Sequence, residues 1–430
     1  MSLRFAAALL ALAPVAALAQ VQIGVDNPLR TGADQQAAVR VNDAIYLAYG
    51  FGNTFLVTTS AGNVVIDTSS IVRAPRAKEL LQRENAGPIK YIVLTHGHGD
   101  HTGGVPLWKG ADTQVIAQKQ HYEFVNYQTR LAGFFAERNA AQFNFPRAAP
   151  GAWAGNYGAQ IVATVQFDDQ YEFTLGDTKF QLYSTPGETP DHLTVWIPKY
   201  RAAFVGDNYY ESFPNIYTLR GTQPRWALDY VASLNKVLAL KPELLLPSHG
   251  QPVRGNAEIT RRLTQYRDAI QYVHDAVVHG MNDGKDVFTL MHEIKLPREL
   301  EVGEGYGNLI WSIRGIYEGY AGWFDMQPAT MYDVPVDTVF ADLAKLAGGA
   351  APITQLAAQY IDAGRYVEAL HLTDVALASD PQFRPALDAR LKALESLKTK
   401  SKNSNERGWL DYHIRVVKNL IAPPAPAPRP

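Results

Sequence analysis

The chain has 430 residues, 47% hydrophobic and 19% charged, and its 40 Lys and Arg against 42 Asp and Glu leave a formal net charge of −2. That composition is globular, of a length for about two or three domains, and the missing basic excess argues against a protein that neutralises nucleic-acid phosphates. With no cysteine, disulfides, thiolate metal ligands and a cysteine nucleophile are excluded together.

In chain order, the first segment carries Arg4, an apolar run over 5–13, Pro14, and then Ala17-Leu18-Ala19 before Gln20. A positive charge, a short apolar stretch and small residues two apart make a secretory signal peptide, cleaved after Ala19, so a periplasmic or secreted product is expected. The run is shorter than the roughly 20 residues a bilayer needs, and no later segment reads as a membrane span. Short β-branched and apolar runs at 44–49, 54–59, 63–67, 90–95, 113–117, 171–175, 179–184, 193–197, 202–205 and 244–246 predict strands. Helical periodicity is interspersed at 75–84, 121–139 and 226–240, which predicts a layered α/β domain over 20–255. From 256 to 421 only helical patterns follow, at 257–280, at 307–322 and throughout the part after Val336. Within it, Ala358, Tyr360, Gly364-Arg365-Tyr366, Ala369, Asp380-Pro381 and Ala386 resemble a tetratricopeptide helix pair, with generic helical hairpins as the alternative. The proline-rich tail over 422–430 predicts disorder and no chemistry.

Directly after the strand run at 91–94 stands Thr95-His96-Gly97-His98-Gly99-Asp100-His101-Thr102-Gly103-Gly104. Three imidazoles and a carboxylate fall within six residues, with glycine between them so that the backbone can curl. Such groups are ligands for first-row metals, and crowding them into one loop implies a cation to hold them.

This His-x-His-x-Asp-His stretch, with Asn53-Thr54-Phe55-Leu56-Val57 and Gly62-Asn63-Val64-Val65-Ile66-Asp67 before it, resembles the metallo-β-lactamase superfamily. The resemblance implies an αββα sandwich with two metals at one edge, His96 and His98 on the first and Asp100 and His101 on the second. By the same resemblance Glu188 in Thr185-Pro186-Gly187-Glu188-Thr189-Pro190-Asp191-His192, Asp207 after Gly206, and His249 in Pro247-Ser248-His249-Gly250 complete a set of seven ligands, Asp207 as the bridge. Three carboxylates against two divalent cations leave one positive charge, which a metal-bound hydroxide, the nucleophile, brings near neutral. Zinc suits the donor set, and manganese or iron would also accept it.

Glutamate at 188, the run Asn215-Ile216-Tyr217-Thr218-Leu219-Arg220-Gly221 and Trp226 look like the alkyl sulfatases of that superfamily. Farther on, the stretch 291–297, Tyr306-Gly307-Asn308-Leu309, Ile316-Tyr317 and Trp323 resemble their helical dimerisation domain. Aspartate at 207 departs from the glutamate usual there, and no counterpart of the lipid-carrier-like domain of larger members is expected, which makes long-chain turnover less assured than sulfate-ester hydrolysis. The resemblance implies hydrolysis of alkyl sulfate esters by a homodimer. Arg220 suits the substrate on its own chemistry, because a guanidinium fork grips two oxygens of a sulfate. The competing expectation is a surface arginine paired with Glu211 or Asp229. Asn208, Tyr217 and Arg225 are further substrate-binding candidates, and His192, His121 and Tyr209 candidate acids, His192 alternatively supporting a neighbouring ligand. Lactone, thioester or β-lactam cleavage, or a catalytically silent sandwich whose helical domain is the interacting part, are the alternatives.

Overall fold

In the computed structural model, residues 31–144 and 163–422 are described. The signal peptide expected over 1–19 and the tail beyond Ala422 lie outside them. The chain opens with β1 (Val39–Arg40), β2 (Ile45–Ala48), β3 (Thr54–Thr59) and β4 (Gly62–Ile66), each antiparallel to the next. After α1 (Ala74–Glu84) come β5 (Ile89–Val93), α2 (Gly99–Thr102), α3 (Val105–Trp108) and β6 (Gln114–Gln118). Then α4 (His121–Arg130) and α5 (Ala132–Gln142) precede β7 (Val165–Phe167), and β4 to β7 pair in parallel to finish a seven-stranded sheet in chain order. A second sheet contains β8 (Gln170–Leu175), β9 (Thr178–Ser184), β10 (Leu193–Ile197), β11 (Ala202–Gly206), β12 (Leu244–Pro247) and β13 (Val253–Arg254), with α6 (Ala227–Ala239) linking β11 to its parallel neighbour β12.

Period-two alternation explains why the two sheets stack. Phe55, Val57, Val64, Ile66, Val93 and Ile116 of the first sheet meet Leu182, Leu193, Val195, Phe204 and Leu246 of the second in one inner core. The intervening residues face outward and are also apolar. Leu56, Val65, Ile92 and Val115 bury α1 and α3, whereas Trp196, Ala203, Val205 and Leu245 bury α6. Strands covered on both faces read as nearly continuous apolar runs, which is why they were visible in the sequence. The result is the expected αββα sandwich.

Beyond β13 the described chain is helical: α7 (Asn256–Asn282), α8 (Val287–Glu293), α9 (Leu309–Ala321), α10 (Phe340–Leu346), α11 (Ala350–Asp362), α12 (Tyr366–Ser379), α13 (Arg384–Lys400) and α14 (Ser404–Ile421). Tyr266, Ile270 and Val273 of α7 and Ile313 of α9 join the outer core of the second sheet, so the helical part is welded to the sandwich.

Two expectations are corrected. The helix over 121–139 is two helices, because Leu131 leaves helical geometry (φ −106, ψ 22) and re-aims α5, which buries Phe135, Ala136, Ala140, Ala141 and Gln142. The strand expected to reach residue 95 ends at Val93, since the Thr95 N–H and hydroxyl bond to Asp67 instead of a ladder partner.

Candidate metal centre

The ligand-bearing loops leave the same edge of the sandwich. Asp67 follows β4, residues 95–101 follow β5, Glu188 follows β9, Asp207 follows β11 and His249 follows β12. Two turns need special backbone: Asp67 sits at φ 54 and Gly206 at φ 50, and a Cβ at Gly206 would lie 2.3 Å from His192 Nε2. Only glycine turns the chain there and delivers Asp207.

Two triads of ligand atoms form, each with its atoms within 4.8 Å of one another: His96, His98 and Asp207, then Asp100, His101 and His249. Asp207 Oδ2 joins them, 3.0 Å from His249 Nε2, 3.5 Å from His101 Nε2 and 3.8 Å from His96 Nε2. In the first triad His96 Nε2 faces His98 Nδ1 at 2.9 Å. Burial, reinforced at His96 by His101 and at His98 by the Arg220 and Arg225 charges, holds both imidazoles well below their ordinary pKa and therefore neutral. Two neutral rings presenting nitrogen to each other are the state a cation requires. In the second, His101 donates Nδ1–H to Asp67 Oδ2 at 2.9 Å, which aims Nε2 at Asp207 and at Asp100 Oδ2, 3.4 Å away. His101 Nε2 and Asp207 Oδ1 are buried with no hydrogen-bond partner among the described residues. Burial of such atoms is costly unless something else satisfies them. Six ligand atoms gathered as two N, N, O triads that meet at Asp207, with these two atoms unsatisfied, fit a pair of divalent cations.

Of the seven ligands expected, six make up the triads. Glu188 stands beside them, Oε1 3.8 Å from His98 Nδ1, while Oε2 is held by Arg225 Nη1 at 2.5 Å and the Tyr230 hydroxyl at 2.8 Å. One oxygen is anchored and the other is open toward the first triad. Arg225 Nη1 also donates to the Asn215 carbonyl at 2.8 Å, so this arginine anchors Glu188, while its Nη2 is buried without a partner.

Arg220 is buried rather than on the surface, its Nη2 3.3 Å from His98 Nε2 and its Nε without a partner. A guanidinium edge thus opens beside the first triad, which excludes the surface pairing with Glu211 or Asp229. Asn208 has a different role from the one expected: its Oδ1 accepts from the Glu188 N–H at 3.0 Å and its Nδ2 donates to the Thr185 carbonyl at 2.7 Å, which fastens the Glu188 loop. Tyr217 lies against Gly315 of α9. His192 accepts the Asp207 N–H at Nε2 and meets the Thr185 hydroxyl at Nδ1, and burial lowers its pKa to about 4. Both nitrogens are engaged, so it supports Asp207 and is no acid. His121 is tied to Asp191 at 2.8 Å, and Tyr209 packs on Tyr266.

Two residues near the centre were not assigned from the sequence. Asp67 receives the Thr95 and Ser248 hydroxyls at 2.7 and 2.8 Å besides His101, tying three ligand loops together. Tyr306 stands close enough to Arg220, Asp100 and Asp207 for their charges to act on its phenol. Its only sequence signal was membership of the helical motif at 306–309.

Residues 48–249 match the family model described as metallo-beta-lactamase superfamily, and residues 288–415 the one described as alkyl sulfatase dimerisation. The chain therefore carries a metallo-β-lactamase domain followed by an alkyl sulfatase dimerisation domain. Several of the relatives it is similar to are alkylsulfatases. A linear primary-alkylsulfatase of a Pseudomonas strain is 29% identical over 82% of this chain and 72% of its own length. An (R)-specific secondary-alkylsulfatase of Pseudomonas is 27% identical over 82% of this chain and 58% of its own. An alkyl/aryl-sulfatase of Saccharomyces cerevisiae is 24% identical over 83% and 60%. This chain thus spans about three fifths of the length of the latter two. The solved structure of the stereoselective inverting sec-alkylsulfatase Pisa1 from Pseudomonas has the same fold, with a TM-score of 0.81 at 22% identity over 91% of this chain and 66% of that one.

Proposed function

We propose that the protein hydrolyses sulfate esters of alkyl alcohols at a centre holding two divalent cations, zinc in the first instance. The observation that carries this is the buried Arg220 guanidinium, its Nε unsatisfied and its Nη2 against His98, beside two triads joined at Asp207 Oδ2. Two such cations, when bound, lower the pKa of a water between them toward neutrality and act as Lewis acids. The residues do the rest. Asp207 and the six other ligands fix the centre, Asp67 and His192 orient His101 and Asp207, and Glu188 is held by Arg225 and Tyr230 with its free oxygen turned inward. Arg220 neutralises the sulfate and aligns it, and burial of the guanidinium strengthens that attraction. Metal-loaded protein is expected to release inorganic sulfate from medium-chain alkyl sulfates. Turnover in ¹⁸O-water places label in the alcohol for C–O cleavage and in the sulfate for S–O cleavage. No sulfate release across several chain lengths, or faster turnover of a lactone, S-lactoylglutathione or nitrocefin, would refute the substrate class.

The working unit is proposed to be a homodimer. Residues 320–339 are all exposed, among them Trp323, Met326, Tyr332 and Val336. An apolar arm of that length within the stretch matched to the dimerisation model is suited to a second copy. Residues 1–19 are proposed as a signal peptide for the periplasm or for secretion, so that the exported protein starts at Gln20, which mass spectrometry of the mature chain checks. Among the described residues no helix is long and apolar enough to cross a membrane.

A further inference from the structure

The loop carrying Arg220 does not hold itself. Arg138 of α5 donates Nε–H to the Arg220 carbonyl and Nη2–H to the Leu219 carbonyl, both at 2.7 Å. One turn on, buried Gln142 accepts the Arg220 N–H at 2.9 Å through Oε1, and its Nε2 donates to the Thr218 hydroxyl at 3.2 Å. The backbone on both sides of Arg220 is thereby fixed by two side chains of one helix. They are fixed in turn by α14. The Trp409 indole N–H reaches Gln142 Oε1 at 3.4 Å, and the Arg138 guanidinium lies over the Trp409 ring at 5.4 Å. Gly408 lets α14 approach so closely that a Cβ there would stand 1.9 Å from the Gln142 carbonyl oxygen. The start of α14 also straps the Tyr306 loop, since Asn403 Nδ2 donates to the Glu304 and Tyr306 carbonyls at 2.8 and 3.0 Å and Asn405 Nδ2 to that of Tyr306 at 2.9 Å.

We infer that Arg138 and Gln142 are positioning residues for Arg220, and that α14, a helix of the dimerisation domain, holds the anion-binding side of the active site in shape. This rests on the proposed role of Arg220 in gripping sulfate. An interaction made equally with bound substrate and transition state appears in KM and leaves kcat alone. In R138A the two carbonyls lose both donors, and in Q142A the Arg220 N–H loses its acceptor. Each is expected to weaken sulfate binding about tenfold. R138K, whose single ammonium replaces a fork, is expected to fall between wild type and R138A.

The test is calorimetric binding of inorganic sulfate to the metal-loaded full chain, beside KM and kcat for an alkyl sulfate, for wild type, R220A, R138A, R138K, Q142A and W409F. Metal content and thermal midpoint report folding. The expected result is a parallel loss of sulfate affinity and rise of KM in R138A and Q142A with kcat and metal retained, and a smaller change of the same kind in W409F, which keeps the ring under Arg138. Folded R138A and Q142A that bind sulfate like wild type, while R220A does not, overturn the positioning role alone. An R220A that matches wild type, or a wild type that binds no sulfate, removes the anion-binding role of Arg220 and the positioning role with it.

Discussion

Asp67 shows how much of the centre rests on one residue that is no metal ligand. Its carboxylate is the acceptor that sets the His101 tautomer, and replacing it with alanine leaves Nδ1 with nothing to donate to inside the protein. D67A is expected to weaken metal binding by about 10–100-fold, read by competition with a chromogenic chelator. An affinity equal to wild type would show that His101 is oriented by something else. R220A is expected to raise KM for an alkyl sulfate by about 10–100-fold, the range of a lost charge-assisted contact, with its metal retained. The quartet at 96–101 was legible because four donors within six residues is a local pattern. Glu188, Asp207 and His249 could be assigned only through the family resemblance, since no local spacing links residues this far apart. Asp67 was missed because a lone acid at a strand end has no signature until the fold brings it under His101. Asn208 was misread for a related reason: composition does not say which way an amide points.

Among the elements, β11 has the densest duties. Its Phe204 meets Phe55 edge-to-face at 5.1 Å between the sheets, and its last residue is the glycine that turns the chain into Asp207. F204A is expected to cost about 3–5 kcal/mol, seen as a lower urea midpoint at unchanged slope. G206A combines a left-handed φ with a contact against His192, so it is expected to lose metal as well as stability. A G206A protein with full metal content would mean that the turn does not control Asp207. The long strands were legible from their apolar runs, whereas β1, β7 and β13 have two or three residues each and carry no readable period. The break at Leu131 was hidden because no proline marks it and a lone glycine, Gly133, is tolerated within a helix, yet Arg138 and Gln142 of the second helix are what hold the Arg220 loop.

At the scale of the molecule, the helical domain was legible as helix but not as part of the active site. Its contacts with Arg138 and Gln142 arise only in the folded chain. The exposed arm over 320–339 makes association testable in the same terms. Sedimentation at micromolar concentration is expected to give twice the chain mass for wild type and the single mass for the double variant W323D and V336D. A wild type that sediments as one chain would contradict the homodimer. Everything functional nevertheless hangs on two triads meeting at Asp207, and the most direct check is native mass spectrometry of the zinc-saturated protein. Two metal ions for each chain are expected, whereas a chain that takes up one ion or none would contradict the two-cation centre.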